Sequence, residues 1–187
     1  MHRSSPFRIA NLEAHLIPLS RPALIHLALA TLCVSDGAAD WTHYGADAAS
    51  TKFTDLAQID STNFDSLRII WRWTSPDERL PVDHVPQAVL RSTPIVVDGV
   101  LYSISPLNQV SALDAATGRE LWTYDPGVWK ADHWYKGYAR GLSYWSDGGD
   151  AERILFGTSS AYLYSLDART GQPDPAFGDG GRIDLAS

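Results

Sequence analysis

The chain has 187 residues, 44% of them hydrophobic, enough apolar material for a packed core. Its formal charge is −7, with 15 basic against 22 acidic side chains, so the basic footprint of a nucleic-acid-binding protein is absent. A single cysteine, Cys33, excludes an internal disulfide.

The first segment has the order of an export signal. Arg3, Arg8 and Arg21 come first, then the apolar run Ala23 to Val34, then the small residues Gly37, Ala38 and Ala39. The run is too short to span a bilayer comfortably. Residues 1–39 are therefore expected to be a signal peptide, which makes the mature protein periplasmic. Glu13 and His26 depart from that pattern, and an ordinary buried helix is the alternative reading. Removing the leader takes away Cys33 and leaves 12 basic and 20 acidic residues, a net charge of −8. Leu32 precedes Cys33 where a lipoprotein signal wants a small residue, so no lipid anchor is expected. No later segment is apolar enough to cross a membrane.

Residues 40–66 form a lead-in segment, and predicted strands follow it. Gly99 to Asp114 reads as an apolar strand, a short polar turn and a second strand ending in Leu-Asp. Arg153 to Asp167 repeats the pattern, and both copies continue into Ala-x-Thr-Gly, with Gly118 and Gly171 53 positions apart. A third, partial copy lies upstream, where Ile70-Trp71-Arg72-Trp73 is similar to Leu121-Trp122-Thr123-Tyr124. A period near 50 residues with several short strands per period predicts blades of an all-β propeller.

Each repeat has a mechanical reading. Asp114 and Asp167 stand where a carboxylate can accept from backbone N–H groups two residues on and fix a tight turn. Gly118 and Gly171 supply the positive φ such a hairpin needs. Trp122 then opens the next strand, with room to pack between neighbouring sheets. Pro76 to Leu90 is polar and Pro-bearing and is expected to be a loop; Pro126 to Arg140 reads as a long insertion. Within it, Trp129, Trp134, Tyr135 and Tyr138 suit either a sugar-stacking lip or the loop's own small core. His133 reads as packing among these aromatics, and the six histidines show no metal-ligand spacing.

Ala112-x-Asp114-x-x-Thr117-Gly118-x-x-x-Trp122 resembles the repeat of PQQ-dependent (quinoprotein) dehydrogenases of the glucose and alcohol dehydrogenase type. Asp40 to Gly45, Thr93 to Tyr102 and Arg140-Gly141-Leu142-Ser143-Tyr144-Trp145 match the same family, in its order. The tail Phe177 to Leu185 is similar to the glucose-dehydrogenase-like branch. The resemblance implies an eight-bladed propeller with pyrroloquinoline quinone (PQQ) in the central funnel, bound to Ca²⁺. It also implies a sugar or alcohol substrate and an electron acceptor, a quinone or a cytochrome c. Arg140 matches the family's PQQ-contacting arginine, and guanidinium suits an anionic, three-carboxylate cofactor. Arg91 is a second cationic candidate, or a rim residue. Lys136 stands where some glucose-oxidising relatives carry a cofactor-facing histidine.

Two departures shape the expected branch. Ala139 replaces the cysteine that many relatives place before the arginine. Arg91 replaces the glutamate typical of alcohol-oxidising relatives, which suggests the sugar-type branch or an uncharacterised one. The Ca²⁺ ligands and the catalytic carboxylate belong to later blades of the family, so they are expected beyond Ser187. Residues 40–187 are accordingly expected to be the N-terminal blades of a partial propeller, inactive alone. A non-catalytic scaffold propeller of the cell envelope and a carbohydrate-binding module are the competing functions.

Overall fold

The computed structural model describes residues 40–81, 90–130 and 139–186. The expected signal peptide, His133 and most of the aromatic insertion, including Lys136, lie outside them.

Eight strands build two four-stranded antiparallel sheets. The first runs β1 (Ile95–Val97), β2 (Val100–Ile104), β3 (Val110–Asp114) and β4 (Glu120–Tyr124), in that order. The second runs β5 (Ser143–Ser146), β6 (Glu152–Gly157), β7 (Tyr162–Asp167) and β8 (Arg182–Asp184). Each sheet is a simple meander, as expected of a propeller blade. The free edge of β1 is capped by the lead-in segment, where Trp41 and Val96 exchange backbone hydrogen bonds of 2.9 and 3.0 Å. The fourth strand of the second sheet comes from the Phe177 to Leu185 tail. Ten residues separate it from Gly171, and a turn at Gly178 to Gly181 delivers it.

The core forms where the two sheets face each other. Ile95, Ile104, Val110 and Ala112 of the first sheet are fully buried with Ile154, Phe156 and Leu166 of the second. Phe156 and Tyr164 stack at 5.1 Å, and Tyr124 reaches across from the first sheet to meet both rings. β3 is buried along four of its five residues, as a strand covered on both faces must be.

The repeated turns behave as expected. Asp114 Oδ1 accepts from the N–H groups of Ala116 and Thr117 at 3.1 and 2.9 Å. Asp167 Oδ1 does the same for Arg169 and Thr170 at 3.1 and 2.8 Å. Hydrogen bonds from Thr117, first its side chain and then its backbone, hold the Asp114 carboxyl below its usual range. Gly118 and Gly171 have φ of +71° and +70°.

The tryptophans join one repeat to the next. Trp122 of β4 donates from Nε1 to the carbonyl of Ala168 at 3.0 Å and lies over Gly171 of the second sheet. Trp71 repeats this one unit earlier, donating to the carbonyl of Ala115 at 3.1 Å and lying over Gly118. Residues 67–73 are thus placed like β4, although they pair with no strand among the described residues.

Pro76 to Leu90 is not simply a loop. Pro76–Arg79 forms a short 3-10 helix, with Ser75 Oγ accepting from the Asp77 N–H at 3.3 Å. Proline at the first helical position has no N–H to leave unpaired, which suits the turn. Pro76 and Asp77 are buried. Arg79 pairs with Glu120 through two contacts, 3.0 and 2.6 Å, and Trp73 Nε1 donates to the same carboxylate at 3.1 Å.

Candidate functional site

In an antiparallel meander all alternate turns fall at one end. The docking turns after β3 and β7 share one end of the sheets. The approaches to β1 and β5 share the other end with the β2–β3 and β6–β7 turns. At that second end lies a cavity of about 310 Å³, lined by Asn108, Ala139, Arg140, Gly141 and the run Gly157, Thr158, Ser159. Its size is at the lower bound of ligand pockets, ~300 Å³.

Backbone pairing holds its walls together. Thr93 and Gly141 form a parallel bridge, and the Thr93 N–H donates to the Arg140 carbonyl at 3.4 Å. Ser92 Oγ donates to the Ile104 carbonyl at 2.7 Å, tying the approach to β1 onto β2. On the far wall Thr158 closes the β6–β7 turn: its N–H donates to the Tyr162 carbonyl at 2.9 Å, and its hydroxyl meets Ser160 Oγ at 3.1 Å.

The wall chemistry is that of an anion site. Arg140 is the charged residue of the lining, and it is exposed. Thr158 and Ser159 add hydroxyls, Asn108 an amide, and Gly141 and Gly157 leave backbone uncovered. Among the described residues no acidic side chain lines the cavity. Such a set can pair guanidinium with a carboxylate and surround it with neutral donors.

The sequence candidates divide three ways. Arg140 lines the cavity, next to the buried Ala139 that stands in the cysteine position. Arg91 is exposed, two residues before the Thr93–Gly141 bridge, and is not part of the lining. Lys136 lies outside the described residues. Sequence reasoning missed Asn108, Thr158 and Ser159; the polar turns that hold them were visible, and their meeting at one cavity was not. Trp129, one of the insertion's four aromatics, donates from Nε1 to Asp125 at 2.9 Å, with the Lys130 amine 5.1 Å from its ring centre.

Among the described residues no three His, Cys, Asp or Glu side chains converge on a metal position, and no helix is long and apolar enough to cross a membrane.

Meander blades locked by tryptophan docking, with a cationic cavity at one end, define a quinoprotein-type propeller. Residues 41–187 match the PQQ family model described as "Glucose/ethanol/alcohol dehydrogenase, beta-propeller domain", and the chain belongs to that family. It is 32% identical over 137 residues to the dehydrogenase subunit of a quinone alcohol dehydrogenase from Gluconobacter oxydans (strain 621H), covering 71% of this chain and 16% of that protein. It is 33% identical over 159 residues to a 1-butanol dehydrogenase (cytochrome c) from Thauera butanivorans, covering 80% and 20%. Among solved structures it is similar to a quinohemoprotein alcohol dehydrogenase, ADHIIG, from Pseudomonas putida HK5. There the TM-score is 0.60 and the identity 28%, over 79% of this chain and 19% of that one. The chain therefore spans about a fifth or less of the length of these relatives.

Proposed function

We propose that this chain supplies the N-terminal blades of a periplasmic PQQ-dependent dehydrogenase that oxidises a sugar or alcohol hydroxyl. The observation that carries the reading is Arg140 in a cavity whose other described polar lining groups are neutral. That set fits an anionic cofactor with several carboxylates. Arg140 would pair with one of them, beside the neutral, polar Thr158–Ser159 turn. PQQ, when bound, supplies a quinone that accepts hydride from the hydroxyl-bearing carbon. The residues on this chain bind and orient it; the acid–base group and the Ca²⁺ ligands of the proposal lie outside the described residues.

On substrate, two features pull apart. The relatives named above act on alcohols, one of them on 1-butanol. Arg91 in place of a glutamate supports the sugar-type branch. The proposal keeps both, with a quinone or a cytochrome c as electron acceptor. Export through residues 1–39 belongs to the same reading.

The test is a titration of PQQ into the full-length apo polypeptide, followed by protein fluorescence, beside an Arg140→Ala variant. A charge-assisted bond of about 1.5–3 kcal/mol predicts that the variant binds roughly 10–150-fold more weakly. Unchanged affinity in the variant would assign Arg140 a structural role. A wild type that binds no PQQ would leave the scaffold function in its place.

A further inference from the structure

Asn108 occupies the tip of the β2–β3 turn in a left-handed conformation, φ +64°, and is 2% exposed. Asn tolerates that region better than most side chains. Its Oδ1 accepts from the backbone N–H of Ser159 at 3.2 Å and from the Ser159 hydroxyl at 3.4 Å. A backbone N–H can only donate, so the amide oxygen faces Ser159 and the orientation of the amide is fixed. Nδ2, with its two N–H groups, is then turned the other way. It makes no hydrogen bond to a described residue, and Asn108 lines the cavity beside Arg140.

The turn is held from behind by a buried carboxylate. Asp77 is 7% exposed. Its Oδ1 accepts from Ser105 Oγ at 2.6 Å and from Gln109 Nε2 at 2.7 Å, and its Oδ2 from the Leu107 N–H at 3.2 Å. Ser105 and Gln109 close the turn between them, Ser105 N–H to the Gln109 carbonyl at 2.8 Å and Gln109 N–H to Ser105 Oγ at 3.0 Å. The Asn108 N–H donates to the Ser105 carbonyl at 3.0 Å. Three of Asp77's partners thus flank Asn108 within three residues on either side. A buried carboxylate is costly unless its lone pairs are satisfied, and here they are used to fix one turn.

From this we infer that Asn108 is a further cofactor-binding residue, donating from Nδ2 to an oxygen of the ligand held by Arg140, and that Asp77 is a positioning residue acting through it. The inference rests on the proposed reading of this cavity as the PQQ site. Arg140 supplies charge and Asn108 supplies a directional neutral donor, so the two contribute differently to recognition. The Arg140 contact is screened by salt and the Asn108 contact is not.

The experiment is PQQ titration of the full-length polypeptide at two salt concentrations, with Asn108→Asp, Asn108→Gly, Asp77→Asn and the double variant Asp77→Asn/Asn108→Gly. Asn108→Asp keeps the acceptor toward Ser159 and replaces the amide donor with an anionic oxygen. Asn108→Gly keeps the left-handed turn and removes the donor. Asn108→Gly is expected to weaken PQQ binding about tenfold, the effect of one directional hydrogen bond, with the salt dependence of wild type retained. Asn108→Asp is expected to weaken it further, by repulsion of the cofactor carboxylates. Asp77→Asn alone is expected to weaken binding, and to add nothing once Asn108 is glycine. That non-additivity is the signature of action through Asn108, which a general loss of stability would not give. Wild-type affinity in both Asn108 variants would overturn the inference while leaving the PQQ site intact. An equal additional loss in the double variant would overturn the role of Asp77. Absence of PQQ binding in wild type would overturn the inference together with the reading it rests on.

Discussion

The indole of Trp122 lies so close over Gly171 that a Cβ on the glycine would come within 2.6 Å of the ring. Gly171 also has φ +70°, which an L side chain rarely adopts. Gly171→Ala therefore meets backbone strain and a clash together, and is expected to destabilise the chain by about 2–4 kcal/mol. Trp122→Phe keeps an aromatic ring but loses the hydrogen bond to Ala168, a cost of about 1 kcal/mol plus lost packing. Urea denaturation followed by tryptophan fluorescence measures both. A Gly171→Ala midpoint equal to wild type would show that the indole has another place to go.

Glu120 links the first sheet to Pro76–Arg79 and carries a pH dependence. The Arg79 guanidinium, and after it the Trp73 indole, pull its carboxyl down from an ordinary 4.5 to about 2. A depressed folded-state value means stabilisation that is full above about 4.5 and is lost as pH falls toward 2. Arg79 is half-exposed, so solvent screening limits the pair to about 0.5–1 kcal/mol. Glu120→Gln should lose that amount at pH 7 and flatten the stability profile between pH 4.5 and 2. Denaturation midpoints at pH 7, 4 and 3 test it; parallel profiles for the two proteins would refute it.

Residues 53–70 expose Phe53, Ile59, Phe64, Leu67, Ile69 and Ile70, the last at 79%. Apolar residues clustered on a surface favour association, and the backbone edge of residues 67–73 pairs with no strand among the described residues. Residues 40–187 expressed alone are expected to self-associate at micromolar concentration. Ile70→Asp should shift the equilibrium toward monomer, because a charge on an open edge opposes pairing. Light scattering coupled to size exclusion reads the mass directly. A monodisperse wild-type monomer at high concentration would contradict this.

Export is expected to leave a mature N-terminus between Ala38 and Trp41. Fractionation and N-terminal sequencing decide it; an intact leader on cytosolic protein is the contrary result.

The repeat was legible because its parts are local. Asp114, Thr117 and Gly118 act within one turn, so their spacing alone carries the hairpin, and a second copy at Asp167, Thr170 and Gly171 carries the blade. The partner of Trp122 was legible only as a direction, toward a neighbouring sheet; that it is Gly171 follows from the 51-residue step between Trp71 and Trp122 once folded. Asp77 was not legible. A carboxylate in a polar, Pro-bearing stretch has the composition of a solvated loop, and its partners Ser105, Leu107 and Gln109 lie about 30 residues away. Asn108 gave one usable signal, an Asn at a turn tip, which fixes its backbone but not the cavity beside it. Arg140 was found by family likeness; its neighbours Thr158 and Ser159 sit on another turn, and only the pairing of β5 with β6 brings them together.

The seating of each tryptophan in the repeat that follows it has a consequence for biosynthesis. Trp71 waits for Gly118, and Trp122 waits for Gly171, so each tryptophan leaves the ribosome about 50 residues before its seat does. At roughly 5–20 residues per second that is an interval of several seconds. During it one indole and the sheet face around it have no cover. Secretion in an unfolded state would avoid the interval, because the whole length reaches the far side of the membrane before any blade must be completed. Under that route the order of translation would cease to dictate the order of assembly, and later blades would be free to template earlier ones.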